Sequence, residues 1–123
     1  MHKIVHTEFN TKNPKKTAEF LTKLFGWETA DMSADSEGGM EYITWKSGEN
    51  EGGGICTYPG ESAGISTLVY VSVDNITEAL AKAKELGAKV TQEEMAIGPH
   101  GFIGMFTDPG GCPMAVHAMN ASK

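Results

Sequence analysis

Gly101-Phe-Ile-Gly-Met-Phe-Thr-Asp-Pro-Gly-Gly-Cys-Pro-Met-Ala-Val-His-Ala, residues Gly101 to Ala118, contains two apolar runs, Phe102 to Thr107 and Pro113 to Ala118, separated by Asp108-Pro109-Gly110-Gly111. Proline pre-sets the first corner of a turn and glycine accepts the positive φ that follows, so the stretch predicts a β-hairpin. Gly104 inside it weakens the strand and permits close approach by a ligand or another backbone. His117 is the one imidazole in the final strand, among small and apolar neighbours.

Outward from the hairpin, a helix-bearing unit precedes it. Ser66 to Val73 alternates as a half-buried strand does, with Val69, Val71 and Val73 on one side and Leu68, Tyr70 and Ser72 on the other. Asp74 or Asn75 caps a helix with an apolar stripe of Leu80, Ala83 and Leu86, Glu78 stands where a capping box from Asn75 needs it, and Gly87 ends the helix. Lys89 to Thr91 then reads as a short strand and Gln92 to Gly98 as a loop.

The first half repeats this plan. Ile4 to Phe9 alternates, with His6 and Glu8 opposite Val5, Thr7 and Phe9. Asn13-Pro14 opens a helix whose Ala18, Leu21, Leu24 and Phe25 recur at helical spacing, and Gly26 closes it. Short strands follow at Trp27 to Ala30, Glu41 to Lys46 and Gly54 to Tyr58, with a polar loop at Asp31 to Gly39 and a turn at Gly48 to Gly54. The two helix-ending glycines, each at about the same distance from its cap, indicate an internal duplication. The expected fold is a single α+β domain of two β-α-β-β-β modules, about residues 1–58 and 65–120 with a linker at 59–64. Their strands would form a curled mixed sheet around a cavity, with the helices outside.

Composition narrows the function. The chain has 123 residues, 40% hydrophobic and 21% charged, which suits one packed domain. The net charge of −6, without a basic stripe, excludes nucleic acid as a natural partner. No apolar run approaches the roughly 18 residues of a membrane span, and the N-terminus lacks a signal-peptide core, so a cytoplasmic protein is expected. Cys56 and Cys112 lack metal-site spacing and read as idle thiols. The methionines, Met40 among them, read as core or interface filler.

Taken in order, His6 within Ile-Val-His-Thr-Glu-Phe, the helix end Phe-Leu-Thr-Lys-Leu-Phe-Gly-Trp-Glu, Val-Tyr-Val-Ser-Val-Asp-Asn-Ile and Phe-Thr-Asp-Pro-Gly-Gly resemble the vicinal oxygen chelate superfamily. That group contains glyoxalase I, extradiol dioxygenases and the fosfomycin and bleomycin resistance proteins. The resemblance covers essentially the whole chain and is nearest the single-domain glyoxalase-like branch with Gly-rich fourth strands, which implies a strand at Gly52-Gly53-Gly54-Ile55 where the local pattern reads as a turn. It implies the paired modules, a cavity and a homodimer. In metalloenzyme members a divalent ion rests on His or Glu side chains from the first and last strands of each module. His6 matches one such position; Ile55, Leu68 and Ala115 stand at the others.

Three readings follow. Small-molecule binding in the cavity, without the full metal set or a cofactor, is preferred, with His6, Glu8, Tyr70, Phe102 and His117 lining it and an acidic cup suited to cationic or neutral ligands. Of Tyr42 and Trp45, which alternation sets on opposite sides, at most one joins the cup. The alternative is a lyase or dioxygenase whose shifted site holds zinc, nickel, iron or manganese on His6, Glu8 and His117. A metal-free enzyme would use Glu8 as catalytic base, its pKa raised by burial beside His6. His100 reads as a solvated loop residue.

Overall fold

Asn13 and Asn75 start the two helices as their side chains predict. In the computed structural model, which describes residues 2–35 and 41–122, the Asn13 and Asn75 side-chain oxygens accept the backbone N–H groups of Lys16 and Glu78 at 3.1 and 2.9 Å. The helices α1 (Pro14–Phe25) and α2 (Ile76–Glu85) follow. Gly26 ends α1 in the left-handed region at φ 72°. Ser122 adds a second cap to α2: its hydroxyl accepts the Thr77 N–H at 3.0 Å and is bonded to Glu94.

Eight strands accompany the helices: β1 (Ile4–Asn10), β2 (Glu28–Asp31), β3 (Ile43–Gly48), β4 (Glu51–Cys56), β5 (Thr67–Ser72), β6 (Lys89–Ala96), β7 (Phe102–Thr107) and β8 (Pro113–Ala118). Contacts divide the chain into two compact units, Val5–Leu68 and the remainder from Val69 with the residues up to Ile4. In the first, the strand order is β2-β3-β4-β1, with β1 and β4 parallel and the other pairs antiparallel. In the second, β5, β8, β7 and β6 repeat that arrangement, with β5 and β8 parallel. Each unit is therefore a β-α-β-β-β module, and the fold class is α+β.

Each helix covers one face of its own sheet. Ala18 and Leu21 of α1 pack with Ile43, Trp45 and Ile55 of the sheet, joined by Phe9 and Trp27, with Trp27 and Trp45 stacked at 4.6 Å between ring centres. Ile76 and Leu80 of α2 pack with Val116 and Ala118 of β8, with Val73, Val90, Phe102 and Phe106 around them. Burying these side chains contributes roughly 1.5–3 kcal/mol apiece for the larger ones.

Three local expectations change. Residues 52–54 are strand rather than turn, because Gly53 lets β4 approach β1 so closely that a Cβ there would lie 1.7 Å from the Thr7 carbonyl oxygen. Strand β6 runs on to Ala96 instead of stopping at Thr91, with register shifts against β7 that absorb the irregular pattern. Gly104 makes room not for a ligand but for α2: a Cβ would meet Leu80 Cδ1 at 2.8 Å and Ile76 Cγ2 at 2.9 Å. Met40 and the 36–39 part of the expected polar loop lie outside the described residues.

Candidate functional site

Alternation along β1 sends Phe9 to the α1 side and leaves His6 and Glu8 on the opposite face. The parallel register sets Glu8 beside Gly54 and Phe9 beside Ile55. Glu8 is 7% exposed, the one charged side chain buried among the described residues. A buried carboxylate is costly unless hydrogen-bonded. Tyr42, just before β3, gives its hydroxyl proton to Glu8 Oε2 at 2.6 Å, and Tyr58, just after β4, donates to Oε1 at 2.6 Å. His6 Nε2 lies 3.1 Å from Oε2 and 2.9 Å from the Tyr42 oxygen.

Two further features fix the phenols. Asn10, two residues along β1 from Glu8, accepts the Tyr58 N–H on Oδ1 at 2.7 Å while its amide donates to the Ala63 and Ile65 carbonyls at 3.1 and 2.7 Å. Gly54 supplies the room for Tyr42, since a Cβ there would fall 2.0 Å from the phenol oxygen. The first unit thus holds a carboxylate between two phenols and an imidazole.

Proton counting assigns the histidine tautomer. Each phenol has a single proton and each gives it to Glu8, and a carboxylate has none to give, so His6 Nε2 must carry hydrogen. Burial pushes the Glu8 pKa up, but the hydrogen bonds from His6, Tyr42 and Tyr58, with the attraction of His6, outweigh it and hold the carboxyl below its ordinary value. The expected raised-pKa base is thereby corrected: Glu8 is held as a carboxylate. The neighbouring Cys56 thiol responds oppositely, pushed up to about 12 by its own burial and then by the charge of Glu8.

The remaining expected site residues are distributed differently. Phe102 packs into the α2 core on the same side of β7 as Gly104 and Phe106, so it does not line the face that carries Tyr70 and His117. Tyr70 pairs with Ala115 and Ser72 with His117, on the side of the second sheet away from Val116 and α2. His117 Nε2 donates to the His100 carbonyl at 2.6 Å, which gives His100 a structural contact. Ile55, expected where a last-strand ligand would stand, is wholly buried in the α1 core; Gly54 is the residue beside Glu8. Among the described residues no group of three or more His, Cys, Asp or Glu side chains is disposed to hold a metal.

Of Tyr42 and Trp45, it is Tyr42 that joins the cluster; Trp45 lies in the α1 core with its indole N–H on the Thr7 carbonyl. Tyr58 is the member that sequence reading passed over. Its signal was present, because alternation from Gly54 through Cys56 leads to Tyr58 on the face of Glu8.

No described helix is long and apolar enough to cross a membrane. No curated protein sequence matches the chain significantly. Among solved structures, a hypothetical protein from Bacillus halodurans C-125 superposes with a TM-score of 0.72 at 12% identity, covering 99% of this chain and 95% of its own. Methylmalonyl-CoA epimerase from Mycobacterium tuberculosis gives 0.68 at 12% identity, covering 98% and 88%. A glyoxalase/bleomycin resistance protein/dioxygenase superfamily member from Vibrio splendidus 12B01 gives 0.66 at 11%, covering 94% and 97%. At such identities the likeness concerns the fold. The family model for the Glyoxalase/Bleomycin resistance protein/Dioxygenase superfamily matches residues 3–116, and the chain belongs to that superfamily.

Proposed function

We propose that the protein binds a small molecule at the face of β1 that carries His6 and Glu8, without the full metal set of the metalloenzyme relatives. The observation that carries this reading is the Glu8 cluster: a buried carboxylate held at 2.6 Å by Tyr42 and by Tyr58, with a half-buried imidazole beside it. A purely structural core would exchange such a network for apolar packing at little or no loss of stability. Oriented polar groups with aromatic bodies are what fix a ligand in a small-molecule site.

Acid–base catalysis by Glu8 is the weaker reading, because a carboxylate held below its ordinary pKa is a poor proton acceptor near neutrality. A library of small metabolites screened by thermal shift tests the proposal. Binding should raise the melting temperature, by free energy that grows as the logarithm of ligand concentration, and the shift should shrink in Tyr42→Phe and Glu8→Gln. Hits that stabilise these variants as well as wild type would place binding elsewhere and refute the assignment.

A further inference from the structure

We infer that residues 58–65 form a strap, latched by Asn10 over Glu8, which opens as a unit without unfolding of the sheet and so admits a small molecule to the carboxylate; the last step rests on the binding site proposed above. Two anchors bound the strap, and both lie at the end of β1. Before it, the Thr11 N–H donates to the Cys56 carbonyl at 2.9 Å and the Thr57 hydroxyl donates to the Thr11 carbonyl at 2.6 Å. After it, the Asn10 N–H donates to the Ser66 carbonyl at 3.0 Å. The chain therefore departs from β1 at Thr57 and returns to it at Ser66.

Between the anchors, one side chain takes hold of both ends of the strap. Asn10 Oδ1 accepts the Tyr58 N–H at 2.7 Å, and its amide donates to the Ala63 and Ile65 carbonyls at 3.1 and 2.7 Å. The middle is bare: Pro59, Gly60, Ala63 and Gly64 are exposed, and a Cβ at Gly60 or at Gly64 would meet nothing within 4 Å. Just before the strap, by contrast, Gly53 to Cys56 of β4 are buried. A segment with few buried contacts and solvent-exposed hydrogen bonds stands at the low end of local stability. Tyr58 ties this weak segment to the site. Its hydroxyl donates to Glu8 Oε1 at 2.6 Å, whereas Tyr42 and His6 reach Oε2 from other strands and turns. With the strap down Glu8 is 7% exposed, so a molecule can meet the carboxylate only after something is displaced. Lifting the strap takes Tyr58 off Oε1 and leaves Tyr42 and His6 on Oε2.

Carboxyl footprinting tests the strap without any bound molecule: a water-soluble carbodiimide with glycinamide converts the carboxylates it can reach into amides, which peptide mapping locates. In the wild type, Glu8 should be labelled at a rate independent of urea well below the unfolding transition, and the Tyr58 N–H should exchange with deuterium with the same indifference. Amides of the β1–β4 ladder should instead follow the urea slope of global unfolding. Asn10→Ala should speed both Glu8 labelling and Tyr58 exchange about tenfold or more, with labelling of the exposed Glu78 unchanged. If Asn10→Ala does not fold, the wild-type urea dependence decides alone. Glu8 labelling and Tyr58 exchange that both carry the slope of global unfolding, or that fail to accelerate in Asn10→Ala, overturn the strap and leave binding at the β1 face standing. Urea-independent opening together with a metabolite screen that yields no hit supports the strap and overturns the binding reading.

Discussion

Replacing Gly54 with alanine puts a methyl group into space held by Tyr42. An ideal Cβ at residue 54 lies 2.0 Å from the phenol oxygen, 2.4 Å from Cζ and 3.0 Å from Cε1. Non-bonded carbons stay well beyond such separations, so the ring must withdraw by an ångström or more. The 2.6 Å bond to Glu8 and the 2.9 Å contact with His6 are then lost together. A hydrogen bond to a charged group contributes about 1.5–3 kcal/mol. Alanine in place of glycine returns about 0.4–1 kcal/mol by restricting the unfolded chain. The expected net destabilisation is roughly 1–2 kcal/mol. Urea unfolding monitored by fluorescence measures it, with an unchanged m-value confirming that the two states remain comparable. The decisive comparison is a double-mutant cycle: with Tyr42→Ala in place, Gly54→Ala should be neutral or slightly stabilising, a coupling of about 1.5 kcal/mol or more. Additive effects of the two substitutions would show that Gly54 does not hold space for the phenol.

Gly53→Ala should be far more damaging than Gly54→Ala, because its Cβ would meet the Thr7 backbone oxygen, carbon and nitrogen at 1.7, 2.6 and 2.8 Å, and backbone cannot rotate away; equal unfolding midpoints would contradict this. Glu8 has a folded pKa below its unfolded value, so its contribution is present above the ordinary carboxylate pKa and is lost as pH falls through the folded value. Tyr58→Phe removes one of the bonds that lower it. The stability difference between wild type and this variant should therefore be largest near neutrality and narrow in acid; a gap that widens in acid would reverse the sign. Cys56 is buried with its thiol pushed up to about 12, whereas Cys112 is exposed. At pH 8 a thiol reagent should modify Cys112 promptly and Cys56 only after unfolding, as peptide mapping would show.

Most of the fold could be read from residues with local, single-cause signals. Asn13 and Asn75 at the caps, Gly26 beyond α1 and the Asp108 to Gly111 turn each act through their own backbone, and the hairpin strands have the expected limits. Misreadings arose where a distant partner decides. Gly52, Gly53 and Gly54 look like a turn, yet the closeness of β1 and the Tyr42 ring makes them a strand. Phe102 has an aromatic side chain suited to a cup, and its register with Ala118 turns it toward α2.

The site divides in the same manner. His6 and Glu8 were visible because they alternate within one strand. Tyr42 precedes β3 and Tyr58 follows β4, and only the antiparallel pairing of those strands brings the two phenols to one end, where both reach the carboxylate. The sign of the Glu8 pKa shift depends on those phenols. Burial alone predicts a rise, and the hydrogen bonds reverse it.

The Ser122 cap bears on the order in which the molecule assembles. Helix α1 is capped from Asn13, immediately before it, and can close its first turn as soon as that segment is in place. Helix α2 has the same local cap from Asn75, and its Thr77 N–H takes in addition a hydroxyl 45 residues further on, which is itself anchored to Glu94 on β6. Closing so long a loop carries an entropic cost that is offset only when the intervening strands are already paired. The two modules, alike in topology and in their asparagine caps, then differ in one late step: the second cap of α2 is completed only after the chain has passed β8.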